Sequence, residues 1–141
     1  MALEILLVED NEGDVVAVQR AFRSEQPACN ISVANDGAEA LDFVFKRGNF
    51  ANAPLPQLIL LDLNLPRMDG KQFLEVFKKQ EELRSIPVIM LTSSESPKDI
   101  RECYERHASC YVVKPFSYKE LSEKVREIIN FWSLTGRVIQ N

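Results

Sequence analysis

The stretch Leu58-Ile59-Leu60-Leu61-Asp62-Leu63-Asn64 joins a short apolar run to two polar residues that follow it closely. A run of this length without a polar position is typical of a strand buried on both faces of a parallel sheet. Asp62 then ends that strand, with Asn64 two residues further on. The stretch therefore predicts a central strand of an α/β fold, with a carboxylate at its end.

Similar runs lie on both sides of this stretch, separated by segments with helical periodicity. The other predicted strands are Leu3–Val8, Ile31–Val33, Pro87–Leu91 and Cys110–Val113. The second is short and partly polar, which suits the edge of a sheet. Strands that alternate with helices form a parallel sheet with right-handed crossovers and helices on both faces. The pattern predicts a doubly wound (βα)5 sandwich whose five strands lie in the order 2-1-3-4-5.

Helix starts are marked by residues that accept hydrogen bonds from free backbone N–H groups. Asp36 and Ser117 each stand three residues before a glutamate, as in a capping box, and Asp69 stands three residues before Gln72. Ser96 precedes a proline at the first helical position. The pattern predicts helices after each of these residues.

Composition limits the class of protein. The chain has 141 residues and a net charge of −4, which argues against a nucleic-acid partner because such proteins carry a basic patch. The apolar runs are far shorter than the roughly 20 residues that span a membrane. Three cysteines without a CxxC pair argue against a disulfide framework or a zinc site. We expect a soluble cytoplasmic domain.

Polar side chains follow four of the predicted strands. Ligands of an open parallel sheet bind at the carboxyl ends of the strands, where the strand order reverses. The residues at these ends are Glu9 and Asp10, Asp62 and Asn64, Thr92, and Lys114. Three crowded carboxylates require a cation or protons, and oxygen ligands suit Mg²⁺ or another divalent cation. The sequence predicts a metal site composed of Glu9, Asp10, Asp62 and Asn64.

The same set of residues suits phosphoryl transfer. Asp62 is the expected nucleophile, since a carboxylate can form an aspartyl phosphate. Lys114 would stabilise charge on the transferred group, and the Thr92 hydroxyl can donate to a phosphate oxygen. Each residue also has a simpler interpretation: Glu9 or Asp10 could cap the first helix, and the others could be solvated surface groups. Their occurrence together at four strand ends favours the site.

These motifs resemble the receiver domains of two-component response regulators. The likeness runs from about Leu3 to Trp132 and is carried by four stretches: Leu7-Val8-Glu9-Asp10-Asn11, Leu61 through Gly70, Leu91-Thr92-Ser93 and Tyr111 through Phe116. The resemblance implies a flavodoxin-like fold of the kind found in CheY-like proteins. It also implies a signalling protein that is no enzyme apart from its own Mg²⁺-dependent phosphorylation and autodephosphorylation.

The resemblance assigns a role to each site residue. Asp62 would accept the phosphoryl group from a histidine kinase, and Lys114 and Thr92 would contact that group. Asp10, Asp62 and the Asn64 carbonyl would bind the cation directly, with Glu9 acting mainly through water. Thr92 and Tyr111 would form the conformational switch.

A narrower resemblance concerns the partner. Residues 43–58, the stretch Asp62-Leu63-Asn64-Leu65-Pro66 and the pair Phe131-Trp132 resemble the small response regulators of bacterial and cyanobacterial phytochromes. This implies a phytochrome-type kinase as the donor. His107 stands where receivers commonly have glycine, so an unusual backbone conformation or a helix C-cap is expected there.

The predicted domain organisation is a receiver over residues 1–132 and a tail over residues 133–141. No output domain is recognised, so the signal is expected to leave by protein contact. Apolar residues of the last helix and the tail, including Trp132, Leu134, Val138 and Ile139, predict a homodimer. The alternative is a tail that folds back on its own last helix.

Three other functions are compatible with part of this pattern. An aspartate-nucleophile phosphatase or mutase would carry Asp-x-Asp near the first strand, whereas this chain has Asp62-Leu63-Asn64 on the third. A flavin protein of the same fold would place phosphate-binding groups where Glu9 and Asp10 stand. A phosphorylation-independent dimeric adaptor on a receiver scaffold remains the alternative, although it would more naturally lack one of the key residues.

Overall fold

The computed structural model describes residues 3–23 and 29–132. Within these ranges the strands are β1 (Leu3–Val8), β2 (Cys29–Ala34), β3 (Leu58–Leu61), β4 (Val88–Thr92) and β5 (Cys110–Val113). They form a five-stranded parallel sheet in the order β2-β1-β3-β4-β5. The predicted fold and strand order are confirmed.

Two predicted strands differ slightly in their bounds. β4 begins one residue later than predicted, because Pro87 has no N–H to donate and its carbonyl instead accepts from Ile59 at 3.0 Å. β4 also includes Thr92, which pairs with Val113. β2 is longer than predicted, since its polar residues are accommodated at the edge of the sheet.

The helices are α1 (Glu12–Arg23), α2 (Gly37–Val44), α3 (Gly70–Phe77), α4 (Pro97–Glu105) and α5 (Tyr118–Asn130), with a short 3-10 helix at Gly48–Phe50. Helices α1 and α5 cover one face of the sheet, and α2, α3 and α4 cover the other. Successive side chains of β3 alternate between these two cores, with Leu58 and Leu60 on the first side and Ile59 and Leu61 on the second. All four are fully buried, as their apolar sequence predicted.

The predicted capping residues begin their helices. The Asp36 and Ser117 side chains accept from the backbone N–H three residues on, at 2.8 and 3.1 Å. At Asp69 both reciprocal bonds of a capping box with Gln72 form, each at 2.9 Å. Ser96 caps α4 ahead of Pro97. These caps hold the helices in place at the edge of the sheet where the candidate site lies.

His107 has the unusual backbone conformation that its position predicted. Its φ is 71°, in the left-handed region that glycine occupies most easily. The His107 N–H donates to Tyr104 and the Ala108 N–H donates to Cys103, both at 3.0 Å. This pair of bonds is a Schellman motif, in which Arg106 is the C-cap of α4 and His107 is the left-handed residue that follows it.

The predicted boundary between the receiver and the C-terminal tail coincides with the end of the described residues. Helix α5 ends at Asn130, and Phe131 and Trp132 pack edge to face against each other. The predicted tail, residues 133–141, lies outside the described residues. None of the helices within the described ranges is both long and apolar enough to cross a membrane. All three cysteines lie within these ranges, and they form no disulfide there.

Candidate functional site

The carboxyl ends of β1 and β3 lie side by side at the point where the strand order reverses. The Asp62 N–H donates to the Val8 carbonyl at 3.1 Å, so Asp62 stands beside Glu9, the residue after β1. On the other side, the Lys114 N–H donates to the Thr92 carbonyl at 2.8 Å. The predicted strand ends are thus brought to one edge of the sheet.

Three of the predicted metal ligands form one acidic cluster. An oxygen from each of Glu9, Asp10 and Asp62 lies within 4.8 Å of the others. Glu9 and Asp62 are buried, whereas Asp10 is open to solvent. Burial and the neighbouring charge of Asp62 raise the pKa of Glu9 to about 7. Carboxylates so placed fit a divalent cation, which would neutralise them with the oxygen ligands it prefers.

Lys114 connects the acidic cluster to the rest of the site. Its ammonium donates to Glu9 Oε1 at 2.5 Å, to Asp14 Oδ2 at 2.8 Å and to Asp62 Oδ2 at 3.1 Å. Burial opposes the charge on Lys114, but the hydrogen bonds to Asp14 and Glu9 and the charge of Asp62 outweigh it and raise its pKa. Lys114 is therefore a permanent cation next to Asp62.

Asp14 is the site residue that the sequence interpretation missed. It lies in the first turn of α1, where an acidic residue ordinarily complements the helix dipole. Its side chain is only 18% exposed and points at the Lys114 ammonium. The available signal was its place in the first turn of the helix that follows β1, because that turn lies at the carboxyl edge of the sheet.

The structure decides against the simpler interpretation of Glu9 and Asp10 as helix caps. The cap of α1 is Asn11, whose side-chain oxygen accepts from the Asp14 N–H at 2.9 Å. Glu9 instead accepts from the Asn11 N–H at 3.1 Å and from Lys114. Glu9 and Asp10 thus lie with their carboxylates in the cluster.

The loop after β3 fixes the orientation of Asp62. The Leu63 N–H donates to Asp62 Oδ1 at 2.7 Å, which leaves Oδ2 for Lys114. A side chain at Gly70 would stand 2.4 Å from the Asp62 carbonyl, so only glycine allows α3 to begin so close to the strand. Asn64 is exposed at the rim of the site, two residues beyond Asp62.

Thr92 and Tyr111 meet at Ser94 on the other side of the site. Thr92 is fully buried, and its hydroxyl accepts from the Ser94 N–H at 3.4 Å. The half-buried Tyr111 donates its hydroxyl proton to the Ser94 carbonyl at 2.9 Å. The Ser94 hydroxyl donates to Asp99 of α4 at 2.6 Å. The two predicted switch residues are thus joined through one loop residue to a helix.

The amino-acid sequence is similar to those of known proteins. The Response_reg family, described as the response regulator receiver domain, matches residues 5–126. The response regulator Rcp1 of Synechocystis sp. is 39% identical over 128 residues, which cover 91% of this chain and 87% of that protein. This similarity extends over nearly the whole of both chains.

Solved structures of response regulators also superimpose closely on this chain. The phosphorylated cyanobacterial phytochrome response regulator RcpA superimposes with a TM-score of 0.95 at 36% identity, covering 99% of this chain and 100% of that one. The Mn²⁺-bound form of Rcp1 superimposes with a TM-score of 0.92 at 37% identity, covering 98% and 99%. Together with the acidic cluster, the lysine and the strand order, these similarities show that the chain belongs to the response regulator receiver domain family, with phytochrome response regulators among its relatives.

Proposed function

We propose that this chain is a single-domain response regulator of a two-component phosphorelay, which accepts a phosphoryl group from a histidine kinase on Asp62. One observation carries the proposal: Asp62 Oδ2 lies 3.1 Å from the Lys114 ammonium, while the same side chain belongs to the acidic cluster with Glu9 and Asp10. A nucleophilic carboxylate thus has a cation on one side and a metal-binding cluster on the other.

This geometry supports such a transfer. An oxygen of Asp62 forms a bond to phosphorus as the bond from phosphorus to the kinase histidine nitrogen breaks, and that nitrogen keeps the electron pair. The Leu63 N–H holds the carboxylate in place through Oδ1. Lys114 compensates charge on the phosphoryl oxygens. Mg²⁺, held by Glu9, Asp10, Asp62 and the Asn64 carbonyl, would supply the remaining positive charge.

The conformational response would begin at Thr92. Its buried hydroxyl can donate to a phosphoryl oxygen on Asp62, and this would pull on the loop that contains Ser94. Because the Tyr111 hydroxyl is bonded to Ser94, the aromatic ring would change position with the loop. Thr92 and Tyr111 therefore form the proposed switch.

The proposed partners follow from the relatives. Rcp1 and RcpA are response regulators, and RcpA is a phytochrome response regulator, so a phytochrome-type histidine kinase is the proposed donor. The signal would leave by protein contact in the cytoplasm, with neither nucleic acid nor membrane as a partner. Homodimerisation through α5 and residues 133–141 is proposed from the exposed Phe131 and from the apolar sequence that follows.

The first test is intact-mass spectrometry of the full chain after incubation with acetyl phosphate. We expect a phosphoryl adduct that requires Mg²⁺ and is absent from Asp62→Asn. The control is Asp69→Asn, which removes a carboxylate seven residues away on the same loop and retains a capping residue. An adduct that persists in Asp62→Asn would contradict the assignment, and no adduct from acetyl phosphate or kinase would support a phosphorylation-independent adaptor.

The identity of the donor kinase and the oligomeric state of the chain require separate measurements. Phosphotransfer from a purified phytochrome kinase should be faster than transfer from an unrelated histidine kinase at equal concentration, and equal rates would contradict the phytochrome pairing. Light scattering across a range of concentrations should give the mass of a dimer. A monomer mass at every concentration, with and without phosphorylation, would contradict homodimerisation.

A further inference from the structure

The Lys114 ammonium has three N–H groups, and each has a carboxylate within hydrogen-bond distance. Two of these carboxylates, Glu9 and Asp62, belong to the acidic cluster. The third, Asp14, does not, although it lies closer to Lys114 than Asp62 does. Lys114 therefore shares its charge between the reacting carboxylate and a group on helix α1.

The position of Asp14 is fixed by its helix. Its backbone N–H is bonded to the capping Asn11 side chain at 2.9 Å. Helix α1 is in turn held against α5, where the Ser122 hydroxyl donates to the Ala17 carbonyl at 3.1 Å. The short Asp14 side chain has little freedom to leave Lys114, which itself is only 9% exposed.

A phosphoryl group on Asp62 would require hydrogen bonds from Lys114 that carboxylates accept in this structure. A divalent cation bound at the cluster would occupy Glu9 and Asp62, but it would leave Asp14 as a carboxylate partner of the lysine. Phosphoryl oxygens on Asp62 would then compete with Asp14 for the same ammonium protons. Three carboxylates contact Lys114 and a fourth, that of Asp10, lies in the same cluster, so an anionic donor meets an excess of negative charge.

We propose that Asp14 is a positioning residue that holds Lys114 toward helix α1 and thereby slows phosphoryl acceptance by Asp62. The inference rests on the proposed function and adds a residue that sets its rate. Asp14 does not contact the reacting atoms in this arrangement; it acts through Lys114. Its removal should free the lysine for the phosphoryl group.

The test compares three full-length proteins: wild type, Asp14→Asn and Glu12→Gln. Glu12 lies in the same helical turn and is exposed, so Glu12→Gln removes an equal charge without touching Lys114. The rate constant for the adduct with acetyl phosphate is measured at saturating Mg²⁺, and the Mg²⁺ affinity and thermal stability of each protein are measured separately. We expect Asp14→Asn to react roughly fivefold faster than wild type, and Glu12→Gln to react at the wild-type rate.

The outcomes separate this inference from the proposed function. Equal acceleration in both variants would show a general effect of charge, and a slower or unchanged Asp14→Asn would show that Asp14 does not restrain Lys114; either result overturns the inference alone. Asp14→Glu, which retains the carboxylate, should stay near the wild-type rate. Absence of the adduct from every protein, with acetyl phosphate and also with a histidine kinase as the donor, would overturn the proposed function itself.

Discussion

The hydroxyl of Tyr111 lies 2.9 Å from the backbone carbonyl of Ser94, which joins strand β5 to the loop after β4. Ser94 also contacts the Thr92 hydroxyl through its N–H and Asp99 of α4 through its hydroxyl. Asp99 accepts from Lys71 at 2.6 Å, which extends the network to α3. A displacement at Thr92 can therefore reach an aromatic side chain and two helices through one residue.

The Tyr111 hydrogen bond should contribute measurably to stability. Tyr111→Phe removes the hydroxyl and leaves the Ser94 carbonyl without this donor, so the free energy of unfolding should fall by about 1 kcal/mol. The rate of adduct formation should stay near that of wild type, since Tyr111 does not touch Asp62. Urea unfolding and intact-mass kinetics measure the two quantities. Tyr118→Phe, at an exposed position, is the control, and equal stabilities of the two variants would refute the prediction.

The Thr92 hydroxyl should be required for the conformational response but not for phosphoryl transfer to Asp62. Thr92→Ala keeps Asp62, Lys114 and the acidic cluster, so the adduct should still form. It lacks the hydroxyl proposed to draw the loop inward, so the phosphorylation-dependent change in the near-ultraviolet circular dichroism of Tyr111 should be largely lost. Thr92→Ser retains a hydroxyl and should respond like wild type. A full spectral response in Thr92→Ala would show that the switch operates without this residue.

Asp10 should govern metal affinity. It is the exposed member of the cluster, and among the described residues the Lys114 ammonium bonds to Glu9, Asp14 and Asp62 instead, so Asp10→Asn mainly removes a ligand charge. We expect Mg²⁺ binding measured by calorimetry to weaken by at least roughly tenfold. Glu12→Gln removes a nearby charge outside the cluster and should bind Mg²⁺ like wild type. Similar affinities for both variants would contradict the proposed ligand set.

The charge on Asp36 should make the stability of the fold depend on pH in the acidic range. Its side chain caps α2 and accepts from Arg67 Nε at 2.7 Å. Burial opposes its charge, but the bonds from the Glu39 backbone and from Arg67 outweigh it and lower the pKa below the ordinary 3.8. A carboxyl with a lowered folded-state pKa stabilises the fold above its unfolded pKa, and this contribution is lost as pH falls through the folded value.

The corresponding variant is Asp36→Asn, which retains a favourable capping residue but loses the charge. At pH 7 it should unfold more easily than wild type by about 1–2 kcal/mol, and the difference should shrink below about pH 4. Chemical unfolding at several pH values measures this difference. A difference in the free energy of unfolding that stays constant from pH 7 to pH 3 would show that the Asp36 charge does not stabilise the fold.

His107 should be replaceable by glycine with a gain in stability. Its φ of 71° strains a residue that carries a Cβ atom, whereas glycine adopts this conformation freely. The relief is partly offset by the greater freedom of glycine in the unfolded chain, so His107→Gly should gain roughly 0.5 kcal/mol. His107→Ala keeps the Cβ atom and should show no gain in the same thermal unfolding experiment. A loss of stability in His107→Gly would indicate that the imidazole itself contributes.

Much of the fold could be predicted from the sequence, because its signals are local. The apolar runs and the polar residues behind them identified three strands with their observed bounds, and the capping residues Asp36, Asp69, Ser96 and Ser117 identified helix starts. The left-handed backbone at His107 was also predicted, from the resemblance to receivers. The bounds of β2 were less well predicted, since an edge strand tolerates polar residues that obscure its pattern.

The candidate site was predicted in part for the same reason. In a parallel sheet all carboxyl ends meet at one edge, so the residue types at four strand ends were enough to identify Glu9, Asp10, Asp62, Thr92 and Lys114. The sequence thus determined the strand order, the kinds of residue at this edge and membership of the receiver family.

Only the tertiary structure decided which of these side chains contact one another. That Lys114 reaches Asp14 as well as Glu9 and Asp62 depends on how α1 packs beside α5, the helix that follows β5 about a hundred residues later in the sequence. That Ser94 joins Thr92 to Tyr111 depends on the path of a loop with no repeating pattern. Strand and helix periods are local properties of the chain, whereas the direction of a side chain into a shared pocket is set by the packing of distant elements.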